Sequence, residues 1–131
     1  MIGLDTNVLV RFLVRDDEDQ HRRAVELLRR GADEGGTFFV GEIVLAEVVW
    51  VLASRYHCGR DEIGSVVRQL TEVQELVFES TDRVVRALRS FERGKGGFAD
   101  YLIAERARDA GCSSVATFDK ALHADSGFVA P

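Results

Sequence analysis

Four carboxylates, far apart in the chain, stand where acidic residues are unusual. Each follows a predicted strand or is the only charge in an apolar segment: Asp5, Glu47, Asp100 and Asp119. An unpaired carboxylate among apolar side chains is costly, so each of them needs a partner. No arginine lies within one helical turn of Glu47. If the four acids converge, their repulsion requires a cation, and oxygen donors without His or Cys favour Mg²⁺ or Mn²⁺.

A divalent metal held by carboxylates at strand ends favours phosphate chemistry. Such a metal polarises a phosphoryl oxygen and lowers the pKa of a bound water, so no histidine base is required. Three small polar neighbours of the strand-end acids could orient a carboxylate or a metal-bound water, or merely cap helices: Thr6, Asn7 and Thr117.

Each acid also has a purely structural interpretation. Asp5 and Asp119 could be helix N-caps, and Asp100 could interact with the dipole at the start of its helix. Glu47 would have to pair with a distant arginine or lie on an exposed stripe of its helix. Glu42 is a rival to Glu47, but its place in the first helical turn favours a structural role. These alternatives stay open at the level of the sequence.

The elements that must position these residues are short apolar runs alternating with longer helical patterns. The spacing predicts strands at residues 1–4, 37–40, 76–79, 114–117 and 127–130. It predicts helices at residues 7–14, 19–31, 43–55, 61–74, 98–110 and 119–123, and another that Thr81 or Asp82 caps. Gly31 is expected to end the second helix.

This alternation predicts an α/β fold, a three-layer sandwich with a parallel sheet of about five strands. The chain is expected to form a single domain over residues 1–131. Because ligands in such folds bind beyond the carboxyl ends of the strands, the strand-end acids are well placed for chemistry.

Composition narrows the functional classes. The chain has 131 residues, and 17 Lys+Arg against 22 Asp+Glu give a formal net charge of −5, without the basic excess usual in nucleic-acid binders. Only Lys95 and Lys120 are lysines, so the basic residues are almost all arginines, which suit phosphate. Two cysteines are too few for a disulfide framework, and we expect a reducing, cytoplasmic setting. No apolar run approaches the ~20 residues of a membrane span, and the first residues do not resemble a signal peptide.

Four ordered motifs resemble those of the PIN-domain ribonucleases, and most closely those of the VapC toxins of type II toxin–antitoxin pairs. The resemblance extends over essentially the whole chain and rests on the segments IGLDTNVL at 2–9, LAEVVWVL at 45–52, FADYLIA at 98–104 and TFDKAL at 117–122.

The resemblance implies a Mg²⁺-dependent endoribonuclease whose acidic quartet is Asp5, Glu47, Asp100 and Asp119. Thr117 matches the small hydroxyl position of the family, and Thr6 and Asn7 match its hydrogen-bonding neighbours. The family implies a homodimer, a VapB-like antitoxin that covers the active-site groove, and structured RNA substrates such as tRNA anticodon loops or a ribosomal RNA loop.

Arginines near the quartet would neutralise the RNA backbone, and Arg11 and Arg15, one turn apart on the first helix, are the sequence-based candidates, with a solvated helix face as the alternative interpretation. Two other functions remain open. A phosphatase of the haloacid-dehalogenase type would need a second Asp where Asn7 stands, because an amide cannot act as the general acid. A non-catalytic dimeric module for binding RNA or protein would use the acids only for stability.

Overall fold

The computed structural model describes residues 1–131 and divides the chain into two compact units, Met1–Glu79 and Ser80–Pro131. The first unit contains β1 (Ile2–Gly3), α1 (Thr6–Leu13), α2 (Glu18–Asp33), β2 (Phe38–Val40), α3 (Glu42–Ser54), α4 (Arg60–Glu72) and β3 (Leu76–Phe78). The second contains α5 (Thr81–Arg93), α6 (Phe98–Asp109), β4 (Val115–Ala116), a short 3₁₀ helix (Lys120–Leu122) and β5 (Phe128–Val129). None of these helices has the length and apolar character needed to cross a bilayer.

All strand pairs are parallel, which confirms the predicted α/β class. In the first unit the strand order is β1-β2-β3, with Ile2 opposite Phe38 and Phe38 opposite Leu76. In the second unit β4 pairs with β5, and Val115 lies opposite Phe128. The five predicted strands therefore form two sheets, of three and two strands, and not one sheet of five.

The core of the first unit contains side chains of α1, β2 and α3, and α1 packs against α3. Leu9, Val40, Leu45 and Val48 are fully buried. In α1 the apolar positions recur at helical spacing. In β2 the first and third residues are buried and the middle residue is half-buried, because successive side chains of a strand point to opposite faces of the sheet. This packing holds the start of α1, which follows Asp5, against the middle of α3.

The prediction that Gly31 ends the second helix was wrong. Helix α2 continues to Asp33, and Gly31 lies inside it because a Cβ at this position would come within 2.2 Å of the buried ring of Phe38. The helix ends further on, where Gly35 has a φ of +71° that favours glycine. The close approach of the Phe38 ring, and not the end of the helix, accounts for the glycine at position 31.

Helices α5 and α6 are joined by a network of ion pairs. Arg83 Nε donates to Asp109 Oδ2 over 2.8 Å, and Arg86 donates to both oxygens of Asp109 and to Glu105 Oε2, each over 2.8 Å. The hydrogen bond from Arg83, with that from Arg86, holds the pKa of Asp109 below its ordinary value. The network fixes the orientation of α6, whose first turn carries Asp100.

Candidate active site

Asp5 follows β1 and occupies the position that precedes α1. Its backbone is extended, with φ −82° and ψ 159°, as in an N-cap residue, but its side chain makes no capping hydrogen bond. The carboxylate is exposed to solvent. The structure therefore excludes the interpretation of Asp5 as a side-chain N-cap and leaves its oxygens available to a ligand.

Glu47 is held by the residue that follows Asp5. Thr6 Oγ1 donates a hydrogen bond of 2.8 Å to Glu47 Oε2, which links α1 to α3 across 41 residues of sequence. Thr6 is one of the few buried polar residues, with 7% of its surface exposed. The sequence had marked Thr6 as a possible orienting residue, but nothing in it identified Glu47 as the partner. The bond therefore links Glu47 to the residue that directly follows Asp5 in the chain.

The prediction that Glu47 lies among apolar side chains and needs a partner to offset its burial was wrong. Glu47 is exposed, and it lies on an exposed face of α3 between Ile43, 77% exposed, and Trp50, 67% exposed. Because α3 is apolar on every face, its periodicity could not show which face would be left uncovered. The cost of burying a charge therefore does not explain Glu47.

Glu42, the rival candidate, is buried at the start of α3, with 6% of its surface exposed. Its backbone N–H donates to Glu79 Oε1 over 2.8 Å, so the carboxylate of Glu79 binds the first turn of the helix. This bond uses the backbone of Glu42, and a structural role for its side chain stays a prediction.

Asp100 lies in the first turn of α6. Its Oδ2 accepts a hydrogen bond of 2.9 Å from the backbone N–H of Gly97, the residue before the helix. The side chain is half-buried. The bond agrees with the structural interpretation of Asp100 and also restricts the direction in which its carboxylate points.

Asp119 begins the 3₁₀ helix that follows β4. Its Oδ1 accepts a bond of 3.0 Å from the N–H of Ala121, so Asp119 does cap this short helix. Thr117 Oγ1 in turn accepts a bond of 3.1 Å from the N–H of Asp119, and His123 Nε2 lies 2.7 Å from the carbonyl oxygen of Thr117. The hydroxyl of Thr117 thus holds the backbone of Asp119.

The four acids are divided between the units. Asp5 and Glu47 belong to the first, and Asp100 and Asp119 belong to the second. Within neither unit do three or more His, Cys, Asp or Glu side chains lie close enough to hold a metal ion. Each unit supplies carboxylate oxygens alone, and that donor chemistry suits a hard cation such as Mg²⁺. Asp5, without a capping bond, is the member whose arrangement fits a ligand best.

Arg11 and Arg15, the sequence-based candidates for RNA contact, both lie in ion pairs. Arg11 Nη1 donates to Asp16 Oδ1 and its Nε to Gln20 Oε1, each over 2.6 Å. A hydrogen bond from Tyr56, followed in strength by that from Arg11, lowers the pKa of Asp16. Arg11 therefore joins α1 to the start of α2, while the exposed Arg15 pairs with Glu18 over 3.3 Å.

Comparison with known proteins agrees with the motifs. The PIN domain family model matches residues 2–125. A VapC ribonuclease from Aquifex aeolicus (strain VF5) is 26% identical over 117 residues, which are 89% of this chain and 86% of the relative. The residues that the family model matches extend into both structural units and include all four candidate acids.

Proposed function

The chain belongs to the PIN domain family, and from this premise we propose that it is a Mg²⁺-dependent endoribonuclease acting as the toxin of a type II toxin–antitoxin pair. The similarity to a protein named VapC ribonuclease supports the ribonuclease and toxin assignments. The observation that carries the proposal is that Thr6, which binds Glu47, directly follows the uncapped strand-end Asp5.

We infer that Asp5 and Glu47 act with Asp100 and Asp119 as the ligands of one or two Mg²⁺ ions, with Mn²⁺ as a possible substitute. When bound, the metal supplies charge to a phosphate oxygen of the RNA and an activated water for in-line attack. The family match spans residues 2–125 and supports treating both units as one nuclease domain.

The protein's own hydrogen bonds restrict the carboxylates before any ligand binds. Thr6 directs one oxygen of Glu47, Gly97 binds one oxygen of Asp100, and Thr117 holds the backbone of Asp119. Hydrogen bonds that orient the ligands of a metal typically contribute about 10–100-fold in metal affinity or activity. Asn7 is exposed next to Thr6, and we infer that its amide orients a carboxylate or a water at this site.

The partners follow from the same premise. We propose a VapB-like antitoxin as the inhibitor, structured RNA such as tRNA or ribosomal RNA loops as the substrate, and a homodimer as the assembly. Ile43 and Trp50, beside Glu47, are large apolar side chains that are exposed in the single chain. Because exposed apolar groups of this size favour a protein interface, they support the binding of a protein partner at this surface.

RNA cleavage by antitoxin-free protein tests the activity. Several structured RNAs are incubated with the protein in Mg²⁺ and in EDTA, and the fragments are sequenced. Cleavage is expected only with the metal, and Asp5→Asn or Glu47→Gln should lower the rate more than about 100-fold, since loss of an outer contact already costs about 10–100-fold. The matched control is Asp33→Asn, which removes an exposed acid paired with Arg29. Intact RNA in every Mg²⁺ reaction would favour the non-catalytic binding module.

Metal binding is tested separately from activity. Trp50 is the only tryptophan and lies three residues after Glu47 on α3, so quenching of its fluorescence reports Mn²⁺ bound near that carboxylate. Titration with Mn²⁺ alone should give saturable quenching that Mg²⁺ reverses by competition. Asp5→Asn combined with Asp100→Asn should abolish it. If Mn²⁺ binding survives this double substitution, the proposed ligand set is wrong.

A further inference from the structure

A groove between α1 and α2 begins beside the candidate active site. It encloses about 470 Å³, and Asn7, two residues after Asp5, lies at one end of its α1 wall. The α2 wall carries Gln20, Arg23 and Arg30. The bond from Arg11 to Gln20 joins the two walls, so the groove is a fixed feature of the first unit.

The groove is positively charged although the chain as a whole is acidic. Its walls include Arg11, Arg23 and Arg30 and no carboxylate. Arg11 pairs with Asp16 over 2.6 Å, whereas Arg23 has only a longer ion pair with Asp19, of 3.9 Å, so Arg23 and Arg30 are the groove arginines least neutralised by direct carboxylate contact. Arg23 and Arg30 are seven residues apart, so they lie on one face of the helix, about 10 Å apart along its axis.

The pairing of the α2 arginines differs from one face of the helix to the other. Arg29, next to Arg30, donates to Glu26 and to Asp33 over 2.7 Å each. Arg30 forms no ion pair within 4 Å, and Arg23 reaches a carboxylate oxygen, that of Asp19, only at 3.9 Å. The hydrogen bond from Arg29 and, more weakly, the charge of Arg30 lower the pKa of Glu26, so Arg30 has a carboxylate nearby but no direct ion pair with it. Exposed arginines without a close carboxylate contact along one groove are a typical binding surface for a chain of phosphates.

We propose that the α1–α2 groove binds the phosphate backbone of the RNA substrate through Arg23 and Arg30. The inference rests on the proposed function, because the groove starts next to Asp5 and continues the path of a strand whose phosphate is cleaved there. It assigns the RNA contacts to the second helix and leaves Arg11 as the residue that joins the helices. The apolar side chain of Leu27, between the two arginines, offers the ribose and base faces a contact.

Salt dependence of RNA binding tests the groove without cleavage. The probe is a fluorescein-labelled single-stranded uridine 20-mer, and its anisotropy is titrated with the protein in EDTA at several KCl concentrations. Each phosphate contact on a single strand contributes about 0.7 to the slope of log K against log salt. The variant with Arg23→Gln and Arg30→Gln should therefore reduce the slope by about 1.4, and it should weaken binding about 25-fold at 0.1 M salt.

Two single variants are compared: Arg30→Gln tests the groove, and Arg29→Gln is its matched control. Both remove one charge from adjacent residues of the same helix, but Arg30 lines the groove without a direct ion pair, whereas Arg29 is outside the groove and pairs with Glu26 and Asp33. Arg30→Gln should lower the slope by about 0.7, whereas Arg29→Gln should leave it unchanged. Thermal unfolding verifies that the variants fold, as expected for exposed side chains.

The outcomes separate this inference from the proposed function. If the wild-type protein cleaves RNA in Mg²⁺ but the double variant keeps the wild-type slope, the groove inference is overturned and the nuclease stands. If the slope falls as expected but no RNA is cleaved, the groove binds RNA and the nuclease proposal fails. An unchanged slope with lost binding of a labelled poly-glutamate peptide would assign the groove to an acidic protein partner and overturn the RNA inference.

Discussion

Removing the hydroxyl of Thr6 tests the contact that links α1 to Glu47. Thr6→Val keeps the shape of this buried side chain and deletes the donor of the 2.8 Å bond. A hydrogen bond to a charged group contributes about 1.5–3 kcal/mol, but Glu47 is exposed and water can replace the donor, so we expect a loss of about 1 kcal/mol. For a chain of 131 residues this corresponds to roughly 3–5 °C in Tm.

Urea denaturation of a double-mutant cycle measures this coupling. The free energy of unfolding is determined for the wild type, Thr6→Val, Glu47→Ala and the double variant. A coupling of about 1 kcal/mol between the two positions is expected, because each single change removes the same bond. Thr6→Ser retains the hydroxyl and loses one buried methyl, worth about 0.8 kcal/mol, so it should be less stable than wild type while keeping the coupling.

The affinity for Mn²⁺ distinguishes positioning from stability alone. If Thr6 orients Glu47 as a ligand, Thr6→Val should weaken Mn²⁺ binding by about 10-fold or more, and Thr6→Ser should bind nearly as the wild type does. The reasoning is refuted if the coupling energy is zero, or if the Val and Ser variants lose Mn²⁺ affinity equally.

Three further predictions follow from packing and charge. Gly31→Ala should lower the free energy of unfolding, measured by urea denaturation, by about 1–2 kcal/mol. The added methyl would lie 2.2 Å from the Phe38 ring, and this overpacking outweighs the ~1 kcal/mol gain in helix propensity. A more stable variant would contradict the packing. Asp109→Asn should flatten the fall in Tm below about pH 4. The pKa of this carboxyl is lowered in the folded state, so its stabilisation is present above the unfolded pKa and is lost as the pH falls through the folded pKa. An unchanged pH profile would count against the network. Iodoacetamide should alkylate the exposed Cys112 before Cys58, since burial raises the pKa of the Cys58 thiol, and equal rates by peptide mass spectrometry would oppose this.

The order and type of the elements could be predicted because they depend on local patterns. Helical spacing of apolar residues and short β-rich runs predicted each of the helices and strands observed, with ends shifted by a few residues. The end of α2 was misplaced because a glycine after a helical pattern is usually a stop signal. At Gly31 the reason for glycine is a ring from β2, which is remote in sequence.

The surroundings of the candidate site could be predicted only in part. The chemical types of the acids and their place after strands or within apolar segments singled out the quartet, and the order of the motifs led to the family that the comparison confirms. The exposure of Glu47 could not be foreseen, because a helix that is apolar on all sides gives no signal of which face the sheet covers.

The sequence by itself determined the family, the parallel α/β class and the choice of the four candidate acids, since these depend on residue types, local periodicity and the order of motifs along the chain. Only the tertiary structure decided that Thr6 binds Glu47, that Arg11 is neutralised by Asp16, and that Arg23 and Arg30 face an open groove. Such contacts act over a few ångströms: Thr6 and Glu47 are 41 residues apart in sequence, and Arg11 and Asp16 are five residues apart but on either side of the end of α1. Their partners are therefore set by how the helices pack.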